Sequence, residues 1–287
     1  MALPQSLSGR LRLPAIAAPM FLASGPDLVV EACKAGVIGT FPALNQRTSE
    51  GYEAWLEEVQ VRLADAPAAA PFGVNLIVHR SNARLSRDLD LTVSHRVPIV
   101  ITSLGAAREV ADAVHSYGGL IFHDVINRRH AEKAAEAGVD GIIAVSAGAG
   151  GHAGTMSPFA LISEIAQVFS GTIILSGSIG TGAQIAAARM MGADLAYMGT
   201  RFLATRQSMV DAAYKLPGRA CLPDPYGDAC RRTLSAGLLR RSAEPVPQEM
   251  LLDLAHRVLR QCVDEFDAFW HIVAGLALAH EGLDLGD

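Results

Sequence analysis

The sequence predicts an α/β fold, a (β/α)8 TIM barrel with an additional C-terminal helical segment. Three observations carry this expectation. Eight short apolar runs alternate with longer stretches of helical pattern between residues 15 and 205. A half-unit of helix, glycine and strand recurs as EACKAGVIGT (31–40), KAAEAGVDGIIAV (133–145) and AARMMGADLAYMG (187–199), and repetition of one supersecondary unit marks an α/β array. No Rossmann glycine fingerprint follows the first run, which disfavours a doubly wound open sheet. The chain has 287 residues, 50% of them hydrophobic, ample for one large core of this kind.

The candidate strands are AIAAP (15–19), VIGT (37–40), FGVNL (72–76), PIVIT (98–102), LIFHD (120–124), GIIAV (141–145), TIILS (172–176) and LAYM (195–198). They are apolar on both faces and rich in β-branched residues, as strands of a buried parallel sheet are. Helical spacing and a closing glycine mark 106–119, 128–138 and 181–192. The gap from 41 to 71 holds WLEEVQVRLADA (55–66) and then APAAAP, so one helix and a loop are expected there. The segment 206–249 mixes Pro, Arg and Cys with little periodicity, and residues 248–278 again read as helical. The expected division is therefore a barrel core over 1–205 and a divergent segment over 206–287, helical after 248 and packing on the barrel. The odd texture of that segment also admits a frameshifted origin.

Composition narrows the function classes. A net charge of −5 with no basic run gives no field for nucleic acid or an anionic membrane. No stretch approaches the roughly 18 apolar residues of a membrane span, and the first residues lack the order of a secretory signal. Cys33, Cys221, Cys230 and Cys262 form no CxxC and no dense framework, so they read as reduced thiols of a cytoplasmic chain. No His/Cys/Asp/Glu set has metal-ligand spacing, and no metal is expected.

In a barrel the working loops follow the C-terminal ends of the strands. GAGGHAG (148–154) follows the sixth candidate strand, SGSIGTG (176–182) the seventh and MGTRF (198–202) the eighth. Glycine turns that lead into helices expose backbone N–H groups to an anion. Backbone near Gly177, Ser178, Gly199 and Thr200 is thus expected to hold a phosphate monoester; tight turning alone is the other reading of these glycines. His152 sits within the most glycine-rich loop, either as an acid–base group facing a ligand or as a polar residue capping the backbone. His123, at the end of the fifth strand, is read as facing the site or as a structural residue, and His79 as a weaker candidate.

The run from Ala147 to Thr205, with APM at 18–20 and PFGVNL at 71–76, resembles the flavin-dependent nitronate monooxygenases. The combination of GGHAG, SGSIGTG and GADLAYMGTRFLAT at matching spacing carries the resemblance. It implies an FMN-binding TIM barrel in which Ala18, Met20 and Asn75 lie beside the flavin. It also implies that Gly150 and Gly151 approach the flavin by backbone, and that Ser176, Gly177, Ser178, Gly199 and Thr200 hold its phosphate. His152 matches the family's catalytic histidine, which takes a proton next to a nitro group or pairs with an anionic nitronate. The implied partners are a small nitronate and O2, and a homodimer is compatible with the apolar composition. One departure concerns HDVINRRH (123–130): where many family members have a lysine after the histidine, this chain has Asp124. An FMN-dependent enoyl-acyl-carrier-protein reductase and a flavin-binding protein without turnover are the rival readings. Inosine-monophosphate dehydrogenase needs a nucleophilic cysteine after the sixth strand, and no cysteine stands there.

Overall fold

The computed structural model describes residues 3–105, 108–150, 154–211 and 215. Eight parallel strands close into a barrel in sequence order: β1 (Ala15–Ala17), β2 (Ile38–Pro42), β3 (Phe72–Ile77), β4 (Ile99–Ser103), β5 (Leu120–Val125), β6 (Gly141–Val145), β7 (Thr172–Ser176) and β8 (Leu195–Met198). Closure comes from β1 pairing with β8, Ala15 opposite Ala196 and Ala17 opposite Met198. The predicted fold class holds, and three strands occupy the residues read from the sequence. β1 is shorter than expected because Pro19 has no N–H to extend the ladder, which stops after Ala18 N–H donates to Met198 O.

The helices are α1 (Pro26–Lys34), α2 (Ser49–Ala64), α3 (Leu85–Ser94), α4 (Arg108–His115), α5 (Arg128–Ala137), α6 (Pro158–Ala166), α7 (Gly182–Met190) and the single turn α8 (Thr200–Leu203). The 41–71 gap holds α2 as expected, but α2 starts at Ser49, before the predicted stretch. Its start is fixed by Thr48, whose hydroxyl accepts the Gly51 N–H at 3.1 Å. Tyr52, Leu56 and Val59 then follow at helical spacing and are fully buried. α3 carries no strong apolar stripe, because Asp88 and Thr92 stand on its buried face. Each has a partner there: Ser49 Oγ donates to Asp88 Oδ1 at 2.6 Å, and Thr92 Oγ1 bonds the Tyr52 hydroxyl at 2.8 Å.

Side-chain alternation along each strand divides the core in two. Ile16, Ile38, Ile99, Ile101, Phe122, Ile143, Ile174 and Leu195 fill the barrel interior, joined by Leu7 from the N-terminal turn. The alternate positions, among them Phe41, Val74, Leu76, Val100, Ile121, Val125 and Leu175, pack against the helices in the outer layer. At β2 the contact is close enough that a Cβ on Gly39 would lie 2.4 Å from the Val29 carbonyl oxygen of α1. No helix among the described residues is long and apolar enough to cross a membrane. Cys33 is buried with a free thiol, pushed up to about 12 by burial; the other cysteines and the segment 216–287 lie outside the described residues.

Candidate active site

Loops following β1, β6, β7 and β8 gather most of the expected site residues at the C-terminal end of the barrel. Ala18 is buried and Met20 follows it, its N–H donating to Ser24 Oγ at 2.9 Å. Asn45 clamps this turn by donating to Met20 O at 3.1 Å and Ser24 O at 2.7 Å. Gly199 and Thr200, at the start of α8, lie beside Met20: the atom nearest to a Cβ on Gly199 would be Met20 Sδ, 3.6 Å away.

The β6 and β7 loops run on as a pair beyond their strands. Ser146 N–H and Ser146 Oγ both donate to Ser176 O, at 2.9 and 2.8 Å. Ser178 N–H donates to Gly148 O at 3.1 Å. This close approach depends on Gly177, whose φ of +136° an L side chain rarely adopts. A Cβ there would also lie 2.4 Å from Ser146 Oγ. Ser178, itself at φ +54°, completes the turn. Beyond it, the Thr181–Gln184 capping box takes up the amides of Gly180, Thr181 and Gln184 at the start of α7. The amides at the start of α7 are thus already taken up within the chain. A Cβ on Gly150 would meet no atom of the described residues within 4 Å. Gly151 and His152 lie outside the described residues.

Asn75 stands on an interior-facing position of β3, and it opens a hydrogen-bonded chain that the sequence did not lead us to expect. Asn75 Nδ2 donates to Ser103 Oγ on β4 at 2.8 Å, and Ser103 Oγ donates to Asp124 Oδ2 on β5 at 2.5 Å. Asp124 Oδ1 is sealed from solvent and has no hydrogen-bond partner among the described residues. Burial pushes the Asp124 carboxyl up to about 6, against the lowering effect of the Ser103 hydroxyl. Tyr197, on β8, feels the same interior: burial first, then the Asp124 charge, hold its phenol well above the usual range. The register that brings three strands' polar residues into line is visible only after folding. Its one sequence trace is a polar residue at an inward position near the end of FGVNLI, IVITS and LIFHDV.

His123 does not face the barrel interior. Its strand neighbours Ile121 and Val125 belong to the outer layer, and alternation places His123 with them. Its Nδ1 pairs with Thr102 Oγ1 at 2.8 Å, and burial lowers its pKa to about 4, with His130 of α5 adding to the effect. This is the structural reading of the two that the sequence left open. His79 closes a local turn with Ser81 at 2.8 Å. A second feature that the sequence did not signal is Arg201, next to Thr200. Its guanidinium is pushed down by burial, and no carboxylate among the described residues pairs with it. Among the described residues no group of three or more His, Cys, Asp or Glu could hold a metal ion.

Comparison with known proteins bears on the family and the fold. A family profile described as nitronate monooxygenase matches residues 79–244, running past residue 205 into the segment of odd composition. A nitronate monooxygenase of Paraburkholderia phytofirmans is 30% identical over 266 residues, covering 77% of this chain and 69% of the relative. A (3aS,4S,5R,7aS)-5-hydroxy-7a-methyl-1-oxo-octahydro-1H-indene-4-carboxyl-CoA dehydrogenase of Rhodococcus jostii is 27% identical over 202 residues. That alignment covers 70% of this chain, which spans only about half, 55%, of that relative's length. The crystal structure of nitroalkane oxidase from Streptomyces ansochromogenes superposes with a TM-score of 0.72 at 20% identity, covering 91% of this chain and 100% of that one. That likeness is one of fold.

Proposed function

The chain belongs to the nitronate monooxygenase family, and from that premise we propose that it is an FMN-dependent oxidoreductase. Its proposed reaction is the oxidation of alkyl nitronates by O2 to a carbonyl compound and nitrite. The observation that carries this reading is the paired β6–β7 loop, drawn together across Gly177.

The residues present fit FMN. Arg201 supplies a partly buried cation without a carboxylate partner among the described residues, and the amides of Gly177, Gly199 and Thr200 lie on the neighbouring loops. With the hydroxyls of Ser176, Ser178 and Thr200, these would hold the phosphate. Ala18, Met20, Asn75, Gly150 and Gly151 would lie along the ring. FMN, when bound, supplies the electron acceptor. The chain's own part is to seat the nitronate over the barrel mouth and to exclude water. Moving the proton falls to His152: its imidazole takes a proton from the carbon beside a neutral nitro group, and in its protonated form pairs with the nitronate anion.

Anaerobic addition of propionate 3-nitronate to the purified protein, followed in the visible spectrum, tests this. Bleaching of a bound flavin is expected. A yellow protein indifferent to nitronate but reduced by NADH or NADPH would make it a reductase, and a colourless protein would remove the flavin from the proposal. His152→Ala is expected to keep FMN and lose turnover of the neutral nitroalkane.

A further inference from the structure

We propose that Asn45 is a positioning residue for the cofactor: it latches the β1 loop, residues 20–24, in the conformation that receives FMN, acting through Met20. The inference rests on the FMN reading for the identity of the ligand and on geometry for the latch.

Asn45 ends the short helical turn Ala43–Asn45 that follows β2, and both ends of its amide are engaged by the β1 loop. Its Oδ1 accepts the Leu22 N–H at 2.9 Å, while its Nδ2 donates to Met20 O at 3.1 Å and to Ser24 O at 2.7 Å. Two donations and one acceptance at a single side chain suit an amide. Aspartate, of the same shape, would set a carboxylate oxygen against two carbonyls. The base of the latch is anchored in turn: Arg84, ion-paired with Asp88 at 3.0 Å, donates from Nη1 to Gln46 O at 2.6 Å.

The tip of the loop has little else to hold it. Phe21 and Leu22 are 69% and 59% exposed, so apolar burial contributes little there. Leu22 also sits at φ +57°, in the left-handed region that a Cβ makes costly. Such a turn persists only where its surroundings over-determine it. Within the loop Met20 bonds Ala23 and Ser24, but the N–H of the strained residue is held by Asn45. The two ends of the loop are tied independently. Ala18 N–H donates to Met198 O on β8 at 2.9 Å, and Met209 N–H donates to Ala23 O at 2.9 Å. Loss of Asn45 therefore frees residues 20–22 without unfolding the barrel. Met20 is the link to the site: its Sδ lies beside Gly199, at the barrel end where the sites of this fold are built, and its carbonyl is an atom that Asn45 holds. A ligand that needs this arrangement binds only the fraction of molecules that has it, so a freed loop weakens apparent affinity in proportion.

The experiment is FMN titration of the flavin-free wild type, Asn45→Ala, Leu22→Asn and the double variant, read by quenching of flavin fluorescence. Urea unfolding of each flavin-free protein accompanies it. Asn45→Ala should raise the FMN Kd on the order of 10-fold or more. Asparagine adopts the left-handed conformation more readily than leucine. Leu22→Asn should therefore change little by itself, and in the double variant recover on the order of 5-fold of the loss. A merely structural Asn45 would lower the urea midpoint and leave the FMN Kd of the folded protein where it was. An unchanged Kd in Asn45→Ala overturns the proposal, and so does a loss that Leu22→Asn fails to lessen. Asn45→Asp keeps the shape and the acceptor but has no N–H to give; the same loss is expected of it, and it decides the matter if the alanine variant does not fold. A wild-type protein that takes up no FMN would overturn the FMN reading and this proposal together, whereas wild-type binding with unaffected variants overturns this proposal alone.

Discussion

Replacing Asp124 by asparagine should make the protein more stable relative to wild type as the pH rises, and the size of the effect follows from the carboxyl's surroundings. In the unfolded chain the group titrates at its ordinary value of 3.8; in the barrel it is pushed up to about 6 by burial. Between these values the folded state holds more protons than the unfolded one. Stability therefore falls as pH rises through the window and stays low above the folded pKa. A gap of about two between the folded and unfolded pKa corresponds to about 3 kcal/mol in full. Of this, roughly 1 to 2 kcal/mol develops between pH 5 and pH 8. The asparagine Oδ1 still accepts from Ser103, and its Nδ2 takes the place of the unpartnered oxygen. Whatever that amide costs is independent of pH and cancels when two pH values are compared. The assay is urea unfolding of wild type and Asp124→Asn at pH 5 and pH 8, with the same flavin loading in all samples. The advantage of the variant should be larger at pH 8 by the stated amount. A constant difference between the two proteins would mean that Asp124 is not held as an acid by burial, and the reasoning would fail.

Three further outcomes are expected. Gly177→Ala should weaken FMN binding on the order of 10-fold or more, because strain of about 1–3 kcal/mol enters the β6–β7 turn where its Cβ would meet Ser146 Oγ and Ala147 O; flavin titration with circular dichroism as a fold control reads this. His123, lowered to about 4 by burial, contributes stability above pH 6.5 that is lost as pH falls through 4, about 3 kcal/mol in full. His123→Gln should therefore lose less stability than wild type between pH 7 and pH 4.5, and urea midpoints at the two values would show equal losses if the burial argument were wrong. Leu56→Ala, at a fully buried position of α2, should cost about 2–5 kcal/mol in chemical denaturation without altering the flavin spectrum.

The barrel is legible in the sequence because its strands are apolar on both faces. β6, β7 and β8 coincide with GIIAV, TIILS and LAYM, whose every residue is committed to the interior or to the helices. α3 is illegible for the opposite reason. Its buried face holds Asp88 and Thr92, hydrogen-bonded to Ser49 and Tyr52 from α2, so its hydrophobic period is broken by residues that only a partner element makes tolerable. The loops of the site are legible from their glycines. The partners of those loops are not: that Ser178 N–H is committed to Gly148, and that Gln184 takes the amides at the start of α7, depends on how two strand ends meet. His123 and Asp124 are adjacent in sequence, and strand alternation alone assigns them to opposite sides of the sheet.

The buried and half-buried aspartates of the described barrel divide by what meets them. Asp88 has Ser49 at 2.6 Å on Oδ1, and although its Oδ2 makes no hydrogen bond, Arg84 Nη2 lies 3.0 Å from it. Asp140, just before β6, is met by His115 at 2.9 Å and by the Ile121 N–H at 2.8 Å. Asp194 Oδ2 accepts the Ile173 N–H at 3.0 Å. Each of these ties one element to another, as an ion pair or hydrogen bond with a structural purpose does. Asp124 ties Ser103 with Oδ2, while its Oδ1 is closed to solvent and has no hydrogen-bond partner among the described residues. An apolar residue there would pack as Phe122 and Ile143 do below it, without the cost of a desolvated charge. The buried Asp124 carboxyl, pushed up to about 6, is therefore a place where the barrel gives up stability as the pH rises.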